Sequence, residues 1–284
     1  MQNNHPLVTV GVALYNHEKY IVDCLKSIVE QTFTDIELIV IDDGSSDNSY
    51  NVANSYLQSQ DRIKYIIKTR KNIGMCNTLN EIAHLSHGKY ISFVGSDDYW
   101  AKDKIKEQVE YLENNLDIAL VHSNSIVVDD DNNETSKIEY QNRKNSSDLF
   151  EAILFGKGGI NTPSHLYRTA IYEEIGYYDS SFRFEDTDFW LRVTNKFKVG
   201  FINKYHTYYR WHDENLSANA NKLKFYNDEI VRIYRKNIVD TQLKQKAISR
   251  IYKKSLLVAL RTLKINYFLK YFMKFISCKY FRKC

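Results

Sequence analysis

Residues Leu7 to Leu14 form an apolar run rich in valine, which predicts a parallel strand covered on both faces. The spacing then changes. Tyr20, Ile21, Cys24, Leu25, Ile28 and Val29 recur at three and four residues and predict a helix with one buried face. Glu37 to Ile41 predicts a second strand, which stops at Asp42-Asp43-Gly44-Ser45-Ser46-Asp47, where turn formers and a helix cap meet. A helix to about Gln58, a strand at Ile63 to Ile67, a helix from about Met75 to Leu85 and a strand at Tyr90 to Val94 continue the alternation. Strand alternating with helix implies an α/β fold with a doubly wound, mostly parallel sheet flanked by helices.

In such sheets ligands bind beyond the carboxyl ends of the strands, where loops converge and helix N-termini point their amides outward. Two acidic pairs sit at those ends: Asp42-Asp43 closes one apolar run and Asp97-Asp98 follows another. Asp129-Asp130-Asp131, followed by Asn132, Asn133 and Glu134, reads instead as solvated loop.

The chain has 284 residues, 43% of them hydrophobic, enough for one large domain or a domain of about 200 residues with an appendage. Two prolines and ten glycines, with no fixed-period repeat, exclude collagenous and linker-rich designs. The first residues lack a basic segment followed by an apolar stretch, and no uncharged apolar run approaches about 18 residues, which disfavours secretion and membrane spanning. Cys24, Cys76, Cys278 and Cys284 have no metal-ligand or redox spacing and read as reduced cytosolic thiols. The net charge of +4 conceals an asymmetry. Residues 241–284 hold 12 Lys or Arg and no Asp or Glu, leaving the rest of the chain acidic, which argues against a nucleic-acid binder.

The motifs Val8-Thr-Val-Gly-Val-Ala-Leu-Tyr-Asn16, Ser27-Ile-Val-Glu-Gln-Thr-Phe33, Glu37-Leu-Ile-Val-Ile-Asp-Asp-Gly-Ser-Ser-Asp47, Asn72-Ile-Gly74, Gly88-Lys-Tyr-Ile-Ser-Phe-Val-Gly-Ser-Asp-Asp98, Glu185-Asp186 and Tyr209-Arg-Trp-His212 occur in that order. In order and spacing the chain resembles the family 2 glycosyltransferases of GT-A fold, of the bacterial cell-surface polysaccharide type, over roughly Pro6 to Asn215.

The resemblance implies an inverting, metal-dependent transfer of a sugar from a nucleotide diphosphate donor, UDP favoured, to a hydroxyl of a glycan or lipid-linked glycan. Lipopolysaccharide, O-antigen or capsule would be the product class. A divalent cation, Mn²⁺ or Mg²⁺, neutralises the departing diphosphate, which gains charge as the glycosidic bond breaks. Asp98 is the expected metal ligand with His212, an imidazole that suits Mn²⁺; an ordinary surface histidine is its alternative. Gly95 and Ser96 leave the first acid of a strict Asp-X-Asp missing.

Asp43 matches the acid facing the pyrimidine, with Tyr15, Ala13 and Asp42 in the same wall, Asp97 nearer the ribose, and Asn72 and Gly74 toward the diphosphate. A core aromatic is the competing reading for Tyr15, and a plain turn for Asn72 and Gly74. Asp186 matches the catalytic base, though it also suits a helix cap. Glu185, Asp188, Gly158, Gly159 and Trp211 are expected at the acceptor. The missing glutamine before Arg210-Trp211 points to a single addition per encounter.

The division expected is a catalytic domain at 1–215 and a basic amphipathic helical extension at 216–284. In the extension Tyr252, Leu256, Leu257, Leu260, Leu263, Tyr267, Phe268, Tyr271, Phe272, Phe275 and Ile276 are placed on one face. Such a helix suits an anionic membrane surface at the cytoplasmic face, with a hairpin packed on the catalytic domain or on another subunit as its alternative. A homo-oligomer is admitted as a partner. A nucleotidyltransferase and a dehydrogenase both fail at the first loop, Ala13-Leu-Tyr-Asn-His17, which lacks their glycines. A non-catalytic carbohydrate-binding or scaffolding protein of the same fold is the remaining alternative.

Overall fold

The structure is a computed structural model that describes residues 6–140, 146–212, 223–261 and 265–281. The first half alternates as the hydrophobic pattern requires: β1 (Val8–Leu14), α1 (Ile21–Val29), β2 (Ile36–Asp42), α2 (Ser49–Gln58), β3 (Lys64–Thr69), α3 (Met75–Leu85) and β4 (Tyr90–Gly95). Strands β1 and β2 are buried along their whole length, which is why they read as unbroken apolar runs. Strand β3 begins one residue later than its pattern suggests, because Lys64, not the buried Ile63, is the first residue paired with β2.

Then follow β5 (Tyr99–Trp100), α4 (Lys104–Asn114), β6 (Ile118–Val128), β7 (Glu134–Ile138), α5 (Ser146–Leu154), a 3₁₀ turn at Thr162–Ser164, β8 (Leu166–Arg168), α6 (Ile171–Ile175), α7 (Glu185–Lys196) and β9 (Lys198–Arg210). All nine strands form one sheet in the order β3-β2-β1-β4-β8-β6-β9-β5, with β7 against the free side of β6. Strands β3, β2, β1 and β4 are mutually parallel. Short β8 runs antiparallel between β4 and β6, and the long pairing of β6 with β9 is parallel again. One hydrophobic cluster fills the α1–α2–α4 side of the sheet and a second fills the α3–α7 side. Both faces of the sheet are therefore covered. The carboxyl ends of β1, β2 and β4 open on one edge.

Helices α8 (Leu223–Asn237), α9 (Thr241–Arg261) and α10 (Ile265–Phe281) complete the chain. They bury Ile230, Ile233, Tyr234, Ile248 and Tyr252 in a third cluster shared with Phe150 and Leu154 of α5 and Leu191 of α7. The proposed division at 215 and 216, and Leu263, lie outside the described residues. The apolar residues assigned to a single face occupy two helices and divide: Tyr252 and Tyr271 are buried, whereas Leu257, Leu260 and Phe272 are exposed. Among the described residues no helix is long and apolar enough to cross a membrane. Cys24 and Cys76 are free and buried. Cys278 is disulfide-bonded, against the expectation of a reduced thiol, because the lack of a metal-ligand or redox spacing does not keep thiols from meeting in the fold. Cys284 lies outside the described residues.

Candidate active site

The loop after β1 is pinned to the loop after β2. Asn16 adopts a left-handed conformation, φ +52°, and its side-chain Oδ1 accepts the backbone amide of Ser46 at 2.7 Å. Its own amide donates to Ser45 Oγ at 2.9 Å. Tyr15 is thereby left 46% exposed on the rim, while Ala13 is buried in the wall below it. Asp42 turns inward, accepting Ser45 Oγ at 2.5 Å and Thr69 Oγ1 at 2.7 Å, so it locks the turn and ties β2 to β3.

Asp43 is 4% exposed, and both its oxygens are engaged: Arg70 Nη1 at 2.6 Å, the Ile73 amide at 2.9 Å and the Gly74 amide at 2.8 Å. Gly74, at φ +91°, directly precedes α3, so this carboxylate holds the helix N-terminus that Asn72 and Gly74 were expected to present. Asn72 itself is exposed.

After β4 the two acids part. Asp97 is partly exposed and faces two histidines, His212 Nε2 at 3.2 Å and His17 Nδ1 at 3.9 Å. One ligand atom from each of His17, Asp97 and His212 lies within 4.8 Å of the others. Burial pushes the Asp97 carboxyl up, but the His212 hydrogen bond and the nearby His17 outweigh it and hold it below the ordinary aspartate range. Two nitrogens and one anionic oxygen form a donor set that fits Mn²⁺ better than Mg²⁺. Asp98, expected as the metal ligand, is not part of this cluster among the described residues. It is 4% exposed and accepts the Arg210 amide at 2.9 Å, and burial together with the Asp97 charge raises its carboxyl well above the usual range.

Arg210, read in the sequence only as part of the Tyr209-Arg-Trp-His212 motif, organises this side of the site. Fully buried, it donates to the carbonyls of Asp97 and Asp129, to Asn132 Oδ1 and to Asp23, and lies over the rings of Tyr20 and Tyr99. The run Asp129-Asp130-Asp131 is therefore not merely solvated loop: Asp130 also takes the Tyr20 hydroxyl at 2.9 Å, and Tyr20 stacks on His212. Nothing in a short acidic run next to Asn and Glu marks such an anchor.

Asp186 lies in the first turn of α7, accepting the Thr187 amide at 2.6 Å and Thr162 Oγ1 at 3.3 Å. Burial raises its carboxyl despite these bonds, and burial with the Asp186 charge pushes Glu185 up to about 8. The Thr162 turn links the two halves, since Pro163 O accepts the indole of Trp100, two residues beyond Asp98. Cys76, in the first turn of α3, donates to Asp179 O and Phe182 O, which brings the loop before α7 against the helix that Asp43 holds.

Asp188, expected at the acceptor, is wholly buried and spent on Arg192, Lys236 and Asn237, because it faces α8 and not the crevice. Glu229 of α8, absent from the sequence-based candidates, accepts the amides of Arg183 and Phe184 just ahead of Asp186. Its signal is only a helical stripe. Gly158 and Gly159 line a cavity of about 450 Å³ with Glu139, Tyr140 and Lys157, and Trp211 is 49% exposed near Tyr209.

Comparison with known proteins gives consistent results. The family described as "Glycosyl transferase family 2" matches residues 9–176, more than half of the chain. The UDP-Glc:alpha-D-GlcNAc-diphosphoundecaprenol beta-1,3-glucosyltransferase WfaP of Escherichia coli is 28% identical over 76% of this chain and 82% of its own length. The structure of S. aureus TarS 1-349 in complex with UDP-GlcNAc superposes with a TM-score of 0.71 at 17% identity, covering 95% of this chain and 81% of that one. Mannosyltransferase PcManGT from Pyrobaculum calidifontis, in complex with GDP-Man and Mn²⁺, superposes with a TM-score of 0.61 at 14% identity, covering 97% and 85%. At these identities the two structures bear on the fold, which is of GT-A type.

Proposed function

The chain belongs to glycosyl transferase family 2, and from that premise we propose that it transfers a sugar, with inversion, from a UDP-sugar to a hydroxyl of a lipid-linked glycan during surface polysaccharide assembly, whether lipopolysaccharide, O-antigen or capsule. The observation that carries the reading is the His17–Asp97–His212 cluster, a donor set for a divalent cation, in a chain that holds the half-buried Asp186 in the first turn of α7 on the Thr162 turn, whose Pro163 carbonyl accepts the Trp100 indole just after Asp98.

Asp97, His212 and His17 would hold a divalent cation, Mn²⁺ by their chemistry, and that ion offsets charge on the departing diphosphate. The protein's own groups do the rest. Tyr15 and Asp43 grip the base; the Gly74 amide is spent on Asp43, so Gly74 shapes the turn into α3 while the exposed Asn72 in the same loop faces the phosphates. Asp186 takes the proton from the attacking hydroxyl on the opposite face of the sugar; burial tunes its carboxyl upward, toward the pH at which a base accepts and releases protons efficiently. Gly158, Gly159 and Trp211 border the acceptor, with Glu185 beside the base. WfaP, by its name, uses a diphosphoundecaprenol-linked sugar, which supports a lipid-linked acceptor here. Residues 1–215 act as the catalytic domain and the acid-free segment 241–284 meets the anionic inner face of the cytoplasmic membrane; self-association is compatible with this arrangement.

The test is a panel of nucleotide sugars with and without Mn²⁺, read as thermal stabilisation. Binding at 100 times Kd contributes about 2.7 kcal/mol, a shift of a few degrees. A UDP-sugar with Mn²⁺ should raise Tm; if no nucleotide sugar does so, the proposal fails.

A further inference from the structure

Thr162 stands between the framework of the sheet and Asp186. The short turn that it opens, Thr162–Ser164, is tied down from several sides. Asn161, buried just ahead of it, donates through Nδ2 to Ser123 O and Ser125 Oγ of β6, both at 2.7 Å. Ser164 O accepts Gln108 of α4 at 2.6 Å, and Pro163 O accepts the Trp100 indole at 2.9 Å and Thr207 Oγ1 of β9 at 3.2 Å. His165 closes the turn, its Nδ1–H donating to the Thr162 carbonyl. Bonds from α4, β5, β6 and β9 therefore fix the main chain from which the Thr162 hydroxyl projects.

The hydroxyl has a direction as well as a place. Its oxygen accepts the Trp190 indole at 3.2 Å, and its proton goes to Asp186 Oδ2 at 3.3 Å. Trp190 lies four residues beyond Asp186, one turn along the same face of α7, so indole and acid meet one hydroxyl. An indole N–H can only donate; it takes a lone pair of the hydroxyl and leaves the proton for the carboxylate. The two oxygens of Asp186 are loaded unequally. Oδ1 accepts the Thr187 amide at 2.6 Å and Thr187 Oγ1 at 3.3 Å, whereas Oδ2 has Thr162 alone among the described residues. A carboxylate oxygen has two lone pairs, so Oδ2 keeps one open.

We propose that Oδ2 is the atom that takes the proton of the attacking hydroxyl, and that Thr162 is the positioning residue that aims it. The assignment rests on Asp186 as the base and adds which of its oxygens acts and what holds that oxygen. As the attacking oxygen bonds to the anomeric carbon, its proton passes to the open lone pair of Oδ2, and the diphosphate leaves with the electron pair of the broken bond. The Thr162 proton stays on Thr162. The terminal torsion of an aspartate is broad, so a place in the first turn of α7 does not by itself set the carboxylate plane. A hydroxyl carried by the sheet does.

Thr162→Val keeps the branched shape and removes the hydroxyl, whereas Thr162→Ser retains it. The first readout needs no ligand. The Asp186 carboxyl carbon, identified by NMR as the aspartate signal missing from Asp186→Asn, should titrate about half a pH unit higher in Thr162→Val and as wild type in Thr162→Ser, because a donor to the charged form is lost. The other ionisable groups within reach of that charge, Glu185, Cys76, Tyr140 and Tyr178, are common to all three proteins. The second readout is release of UDP, with water as acceptor and Mn²⁺ present, from whichever of UDP-glucose, UDP-galactose and UDP-N-acetylglucosamine most stabilises the chain. Thr162→Val should lower kcat about 10-fold with donor Kd within about 2-fold, and Thr162→Ser should recover kcat to within about 3-fold of wild type. An unmoved carboxyl signal, an unchanged kcat in Thr162→Val, a loss of donor affinity as large as the loss of kcat, or no recovery in Thr162→Ser would overturn the assignment and leave Asp186 as the base. Release of UDP by Asp186→Asn at the wild-type rate would instead overturn the base, and the role of Thr162 with it.

Discussion

Asp97 and Asp98 lie in the turn between β4 and β5, and their hydrogen-bond partners divide them: Asp97 faces His212 and His17, whereas Asp98 accepts the Arg210 amide. Asp97→Asn is expected to weaken Mn²⁺ binding at least about 10-fold, and Asp98→Asn, which keeps an acceptor for the Arg210 amide, to leave it nearly unchanged; Mn²⁺-dependent Tm shifts of the two variants compare them directly. Glu185 supplies a prediction of a different kind. Its folded value of about 8 lies above the 4.5 of the unfolded chain, so the native state binds the proton more tightly and loses stability as pH rises between those values. Glu185→Gln removes that loss: its gain over wild type, on the order of 2 kcal/mol, should be present at pH 8 and nearly absent at pH 4.5 in urea titrations. An equal gain at both pH values would contradict it. The acid pairs were legible in the sequence because they close apolar runs. Their facing was not, since it depends on Arg210, 112 residues away, docking its amide on Asp98.

The elements of the first half were legible almost to the residue, since each strand and helix there is set by a local period. Beyond β4 the fold depends on long-range pairing. Strand β8 is three residues long and β6 meets β9 through register shifts, features with no local signature. Helix α8 acts on the catalytic loop in a way that periodicity cannot disclose: Glu229 restrains the amides of Arg183 and Phe184. Glu229→Ala is expected to lower kcat about 10-fold by loosening Asp186 while leaving donor Kd in place, because misplacement of a catalytic group by about 1 Å is costly. A drop in donor affinity of similar size would indicate general disruption instead. In α4, Lys104 is fully buried with no carboxylate partner among the described residues, bonded to Ser92 and Gln108 and lying 3.8 Å from the Trp100 ring centroid. Burial lowers its ammonium well below the ordinary lysine range, so the native state binds that proton less tightly and wild-type stability rises with pH. Lys104→Met should therefore stabilise, by about 1 kcal/mol, more at pH 6 than at pH 9. Denaturant unfolding at the two pH values is the check.

At the scale of the molecule the sheet supplies a rigid platform, and the functional side chains stand where three of its parallel strands end. The C-terminal helices are not an appendage on a tether: they complete the third hydrophobic cluster with α5 and α7. Their basic character was legible from composition, but their packing was not, since the same apolar residues serve two faces of two helices. Ending the chain at Asp240 would uncover Ile230, Tyr234 and Ile238 and is expected to lower Tm by several degrees, measured by circular dichroism. The account as a whole stands on Asp186 as the base in a chain that binds donor without it. The most direct measurement is therefore Asp186→Asn, assayed for donor binding by calorimetry and for sugar transfer by product formation. Donor affinity should stay within about 3-fold while transfer falls by about 10³-fold or more; transfer within about 10-fold of wild type would contradict the account.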